Sequence, residues 1–370
     1  MVPRIHLLLV PVIAISLVPP GCRRPPEPVT TDPVASDPVT PRKVVPHDHD
    51  EAVGLCGAIL AAPYRPLPRQ AGGNQFDPSG IAAVGGRVWL ANDRECREQV
   101  PPGGGGLYTL EPESGVVTAV PVPGYDDESR KFEALAWDGR ELHAIGNVGD
   151  RKDNTFLFSL PLDPQTGEIA GGARWHDLAG GLGAATGLGR KPWDHGIKIE
   201  GLAALAPGEL LIGLRTMGDG AAVRGYRTVL SPAGEPPAPL VLEPVQALER
   251  LDLGIAAGGP ERRWRMAREL SGLADPAGDG GVVLGVASAE FEEGDDWAFL
   301  SNALFAHWPE ADRARRLCTF DDGHKIESID WRVAPPAGGT GTLLLLYDND
   351  SEAEGGYRVV PDVAPPAAPD

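Results

Sequence analysis

Apolar residues run along the chain in short blocks broken by Gly, Pro and Asp, and the blocks recur in a fixed order. Five of them open on one phrase: an acid or serine, a small residue, an aliphatic residue, then a small or acidic one. These are SGIAAV from Ser79, EALAWD from Glu133, EGLAAL from Glu200, SGLADP from Ser271 and ESIDWR from Glu327. The starts are 54, 67, 71 and 56 residues apart. Each phrase leads through a Gly-containing turn into a second apolar run: GRVWLAND, GRELHAIGN, GELLIGLRT, GVVLGVAS and GTLLLLYDND. Two short runs joined by a tight Gly turn predict a β-hairpin. A third run follows in every unit. Four units continue through turns such as EPESG or DPQTG, where Pro and Gly set the backbone, to a fourth run.

The fifth unit runs out of chain after YRVVPDV, and its missing outer strand is assigned to the otherwise unpartnered run GLCGAILAAPY, residues 54–64. Four-stranded units repeated about a centre, with the N-terminal strand completing the last, predict an all-β fold: a β-propeller of five blades of four antiparallel strands over residues 54–362. Six blades are the alternative, because the 71-residue third unit holds QALERLDLGIAAGGPERRWRMA, either a degenerate blade or a loop with a helical turn. A β-sandwich is the other architecture considered.

Composition agrees with this pattern. The 370 residues include 48 Gly and 38 Pro, more turn chemistry than a helical protein tolerates. A net charge of -19 argues against nucleic acid or an anionic membrane surface as partner and leaves metal cations and basic ligands open. Residues 1–21 read as a secretory signal of the lipoprotein type, with an apolar stretch over residues 7–18 too short to span a membrane. Gly21-Cys22 resembles the end of a bacterial lipobox, so Cys22 is the expected lipidation site. That anchor would hold the protein outside the cytoplasm on an outer or plasma membrane. Residues 22–53 read as a proline-rich tether and 363–370 as an irregular tail. Cys56, Cys96 and Cys318 remain, enough for one intramolecular bridge whose partners the sequence does not choose.

Propeller geometry places candidate chemistry. The first strand of each blade lines the central channel, and residues two apart on a strand share a side. Lys131 with Glu133, Lys198 with Glu200, and Lys325 with Glu327 are therefore expected at the channel mouth. The second strand returns there with Asn92 and Asp93, with Asn147, with Arg215, and with Asp348 and Asp350. His195 and His324 each stand just ahead of a Lys-Ile-Glu and are expected at the mouth too, with His143 close by in sequence.

Crowded acids raise one another's pKa, which suits Glu133, Glu200 and Glu327 to general acid or base work. The cations and histidines, Lys131, Lys198, Lys325, Arg215, His195 and His324, suit ligand binding. The oxygen donors Asp93, Asn147, Asp348 and Asp350 suit calcium. The plainer alternative is that each Lys merely neutralises its Glu. No Gly-x-Ser-x-Gly elbow, phosphate-binding Gly loop, His-Glu-x-x-His or Cys-x-x-Cys is present.

FDPSGIA at residues 76–82 resembles the Asp-Pro-Glu-Gly-Ile-Ala start of phytase-like and esterase-like bacterial propellers, with Ser79 in place of the glutamate. KIEGLAALAPGELLIGLRT at residues 198–216 resembles the central signature of the bacterial propeller-like family known as domain of unknown function 3616. The phytase-like resemblance implies calcium and phosphate-ester chemistry in the channel. The expected function is binding of a small polar or charged ligand at the channel mouth, with metal-assisted ester or phosphoester hydrolysis as its enzymatic form. A non-enzymatic envelope interaction module is the alternative. A lactonase-type metal site would draw on Glu200, Asn147, Asn92 and Asp348.

Overall fold

The five repeat phrases form the innermost strands of five antiparallel sheets. The structure, a computed structural model, describes residues 43–46, 50–67, 78–92, 106–122, 130–148, 151–187, 197–216, 223–231, 240–253, 255–258, 264–267, 269–274, 281–293, 296–321, 323–336, 339–348 and 355–368. Blade 1 comprises Pro78–Val84, Arg87–Asn92, Leu107–Glu111 and Val116–Ala119; blade 2 comprises Arg130–Trp137, Glu141–Val148, Arg151–Pro161 and Arg174–His176. Blade 3 comprises Ile197–Ala206, Glu209–Thr216, Val223–Val229 and Glu243–Pro244; blade 4 comprises Glu269–Ala274, Val283–Glu293, Asp296–Trp308 and Arg313–Asp321. Blade 5 has Lys325–Val333, Gly341–Asp348 and Gly356–Val363. Every innermost strand packs beside that of the next blade, and the fifth returns to the first, so the ring closes as a five-bladed β-propeller. The segment that left six blades open forms the short helix Gln246–Glu249 and a separate hairpin, Ile255–Gly258 with Trp264–Ala267.

The N-terminal part closes the last blade, but not with the residues expected. Most of the run at 54–64 lies in a helix, Asp50–Ala61, and the outer strand of blade 5 is the next piece, Arg65–Pro66, paired with Tyr357 and Gly356. The buried positions Cys56, Ile59 and Leu60 explain this, because their i, i+3, i+4 spacing makes one helical face. Upstream, Lys43–Pro46 adds a fifth strand to blade 4 within the segment expected to be tether. Cys56 on the helix is disulfide-bonded to Cys318 on the fourth strand of blade 4.

Five apolar clusters fill the five gaps between neighbouring blades. This accounts for the unbroken run GTLLLLYD on blade 5: Leu343, Leu345 and Tyr347 face blade 4 and the helix, while Leu344 and Leu346 face blade 1. A strand covered on both sides has no polar face to alternate with. The blades also touch closely near the axis. A Cβ on Gly80 of blade 1 would lie 2.8 Å from the backbone nitrogen of Leu135 in blade 2, which is why the phrase carries a small residue there.

Candidate functional site: the mouth of the channel

Each innermost strand carries one register shift of the β-bulge kind near its start, and the residue it takes out of the ladder is the first of the repeat phrase: Ser79, Glu133, Glu200, Ser271 and Glu327. A bulge bends its strand and re-aims a side chain. The recurring acid or serine thus stands at one register level on all five inner strands.

Counting from the bulges aligns the second strands. Lys131 lies opposite Asn147, Lys198 opposite Arg215, Glu269 opposite Ser288, and Lys325 opposite Asp348. Asn92 lies opposite Pro78, directly beside the bulge, so it matches Gly146 and Leu214 rather than Asn147 and Arg215. The lactonase-type set of Glu200, Asn147, Asn92 and Asp348 therefore mixes two register levels. His143 is also displaced from the mouth, since it pairs with Ala136 near the far end of the inner strand of blade 2.

Where side chains are described, the cations and acids meet within a blade. Glu327 pairs with Lys325, both side chains 10% exposed, as the two-residue spacing predicts. Glu200 Oε1 lies 3.6 Å from Arg215 Nη1, with the two side chains 13% and 11% exposed. Glu133 is half-buried and Asp348 buried. The His324 ring stacks on Tyr64, centroids 4.1 Å apart and planes 9° apart, with Tyr347 edge-on to both. Lys131, Lys198 and Asn147 are placed by backbone alone. Asp93, His195, Asp350, Cys22 and Cys96 lie outside the described residues.

A second cluster, which sequence reasoning missed, crosses blade 2 at the opposite end. His176 Nε2 lies 3.1 Å from Ser159 Oγ, Ser159 Oγ 2.9 Å from His143 Nδ1, and His143 Nε2 3.0 Å from Asp138 Oδ2. One proton arrangement fits the two serine contacts, with His176 donating from Nε2 to Ser159 and the serine donating to His143 Nδ1, while His143 Nε2 approaches Asp138 without a well-directed hydrogen bond. Asp138 ends it by accepting the backbone N–H groups of Arg140, Glu141 and, from blade 3, Gly208. Burial alone would raise the Asp138 pKa, but His143 and the amides of Glu141 and Gly208 hold it far below the usual carboxylate range.

Asp138, Glu141 and His143 bring potential ligand atoms within 4.8 Å of one another. Glu141, however, is paired with Arg174 and Asp138 is saturated by amides, so the group acts as a structural junction between blades 2 and 3. The sequence signal for it is a single polar residue inside each of two apolar stretches, His143 in LHAIG and Ser159 in FLFSLPL; His176 stands among other polar residues in ARWHDL and gives no such signal.

No protein-family model matches the chain, and no curated protein sequence matches it. Among solved structures it is similar to the alpha-L-arabinofuranosidase of Podospora anserina, at 10% identity and a TM-score of 0.42, covering 82% of this chain and 99% of that one. It is also similar to the soluble aldose sugar dehydrogenase of Escherichia coli, at 12% identity and a TM-score of 0.39, covering 81% and 100%. The mannose phosphorylase MPT-4 of Leishmania mexicana matches at 13% identity and a TM-score of 0.39, covering 84% and 92%. The likeness is too distant to carry an activity over to this chain.

Proposed function

We propose that the protein is a lipid-anchored, extracytoplasmic propeller that binds a small polar or charged ligand at the mouth of its channel, on the face where the inner strands begin. The observation that carries this reading is the common bulge, which sets Glu133, Glu200 and Glu327 at one level of the ring. Ion pairs in a partly buried setting suit ligand exchange: an anionic group takes the place of a carboxylate beside Arg215 or Lys325, and hydroxyls donate to Glu200 and Glu327. The resemblance to the family of domain of unknown function 3616 belongs to the same proposal.

In the hydrolytic form of the reading, Asp93, Asn147, Asp348 and Asp350 are the oxygen donors for calcium, which when bound supplies a polarised water for an ester or phosphoester. Glu133, Glu200 and Glu327 are then the candidate proton acceptors. The non-enzymatic envelope module is the second reading, and one observation favours it. Glu200 and Glu327 already have cationic partners within their own blades, so their charges are met without any ligand.

Thermal melting with calcium and with a chelator separates the two. A calcium-dependent rise in melting temperature that is lost in Glu200→Gln supports the metal-assisted form, and no rise leaves the interaction module. Nitrophenyl esters and phosphates then test hydrolysis. Turnover unchanged in both Glu200→Gln and Glu327→Gln would remove these residues from the reaction.

A further inference from the structure

We infer that Ser79 and Ser288 are positioning residues, each fixing a channel-mouth glutamate on the neighbouring blade; the inference rests on the channel-mouth reading above. Ser79, the bulged residue of blade 1, donates its hydroxyl to the carbonyl of Phe132 in blade 2, the peptide directly before Glu133. Ser288, on the second strand of blade 4, has its hydroxyl 3.1 Å from the carbonyl of Ile326 in blade 5, the peptide directly before Glu327. Two serines at different places in their own blades thus hold equivalent carbonyls on the blades that follow.

The surroundings make these bonds consequential. Ser79 and Ser288 are 9% and 3% exposed, and Phe132 and Ile326 are fully buried. The Phe132 ring packs edge-on to Phe156 and tilted against Phe158, centroids 6.3 and 5.7 Å away, so its side chain is pinned. What stays adjustable is the peptide plane between residue 132 and the bulged Glu133, where the ladder is interrupted. In blade 5 the grip is shared. The Ser288 hydroxyl has one proton for two acceptors, Asn302 Oδ1 at 2.9 Å and the Ile326 carbonyl at 3.1 Å, and Asn302 in turn accepts from Ile326 N at 3.2 Å and donates from Nδ2 to the His324 carbonyl at 2.9 Å. The main chain entering Lys325–Glu327 is therefore clasped from blade 4.

This also explains why residue 79 departs from the acid of the repeat. A hydroxyl at this position donates to the Phe132 carbonyl, whereas an ionised carboxylate would set acceptor against acceptor. Removing the hydroxyl leaves a buried carbonyl short of a donor and frees the peptide to rotate, which carries the next side chain with it.

The test is a pH titration of the glutamate side-chain carboxyls by carbon-13 NMR on the whole protein, with Glu133 and Glu327 assigned through Glu133→Gln and Glu327→Gln. Ser79→Ala is expected to move the Glu133 midpoint by about half a pH unit or more while leaving Glu327 in place, and Ser288→Ala to do the reverse. Ser79→Thr and Ser288→Thr, which keep the hydroxyl, are expected to restore the native midpoints. If an alanine variant does not fold, the near-isosteric Ser→Cys, a weaker donor, replaces it with the same expectation. A Ser79 variant that moves neither midpoint, or both alike, overturns the inference. The readout needs no ligand, so a lack of calcium response defeats the metal-assisted form while leaving the positioning result standing.

Discussion

Among single residues, Arg358 has the most unusual setting. It is completely buried on the third strand of blade 5, donates to the Ala62 carbonyl, and stands 3.4 Å from the carbonyls of Ile59 and Leu60. These are C-terminal carbonyls of the helix Asp50–Ala61, the end at which the helix dipole attracts a cation. Its guanidinium also lies over Tyr64 and Tyr347, at 5.8 and 5.6 Å from the ring centroids. Arg358→Ala is expected to cost about 3 to 5 kcal/mol in urea unfolding, with Arg358→Lys recovering part of the loss.

His176 makes a second residue-scale prediction. Burial, then the charges of Arg174 and His143, lower its pKa from 6.5 to about 4. Between those values the unfolded chain binds a proton that the folded chain refuses. The contribution is therefore fully present above pH 6.5 and is lost as pH falls, by about 3 kcal/mol on reaching pH 4. His176→Gln should flatten the pH dependence of the urea midpoint over that interval; an unchanged slope would show that the histidine is not the cause.

Among elements, the helix Asp50–Ala61 and its disulfide carry the most. Cys56 and Cys318 are 262 residues apart, so the bridge encloses four of the five blades and leaves the three long strands of blade 5 outside the loop. Chain entropy for so long a loop stabilises the folded state by roughly 5 kcal/mol, and a Cys56→Ser, Cys318→Ser protein should lose several kcal/mol of that in equilibrium unfolding.

The same element marks where sequence reading failed. Strand count, spacing and the shared position of the first repeat residue were legible because each blade repeats one pattern of turn and phrase. In the helix, Gly54, Gly57, Ala58 and Ala61 fill the spaces between Cys56, Ile59 and Leu60, and a short apolar run without polar contrast looks alike as strand or helix. The line from Asp138 to His176 was hidden for another reason. It joins one turn and three strands through residues far apart in sequence, and only the register brings these together. The Lys325–Glu327 pair was legible because its partners are near in sequence; the serine contacts to Phe132 and Ile326 were not, because they cross between blades.

At the scale of the whole molecule, closure between blades 5 and 1 is secured near the axis as well as at the rim. Asp330 accepts from the Ala83 amide at 2.7 Å and Ser328 from the Ile81 amide at 3.2 Å, while Tyr357 donates to the Pro112 carbonyl at 2.9 Å on the outside. Asp330→Ala leaves the Ala83 amide without this acceptor and is expected to cost about 1 to 3 kcal/mol, read as a lower urea midpoint. A loosened seam should also raise amide hydrogen exchange in Pro78–Val84 more than in the inner strand of blade 3, Ile197–Ala206. Equal exchange in the two strands would show that the ring does not open there.

The bridge from Cys56 to Cys318 has a mechanical consequence. A pull on the chain upstream of residue 56 does not have to travel through the two-residue strand Arg65–Pro66, because the covalent link carries it sideways into the fourth strand of blade 4. Under tension the seam would be bypassed, and the weak stitch that completes the circle would be spared the load.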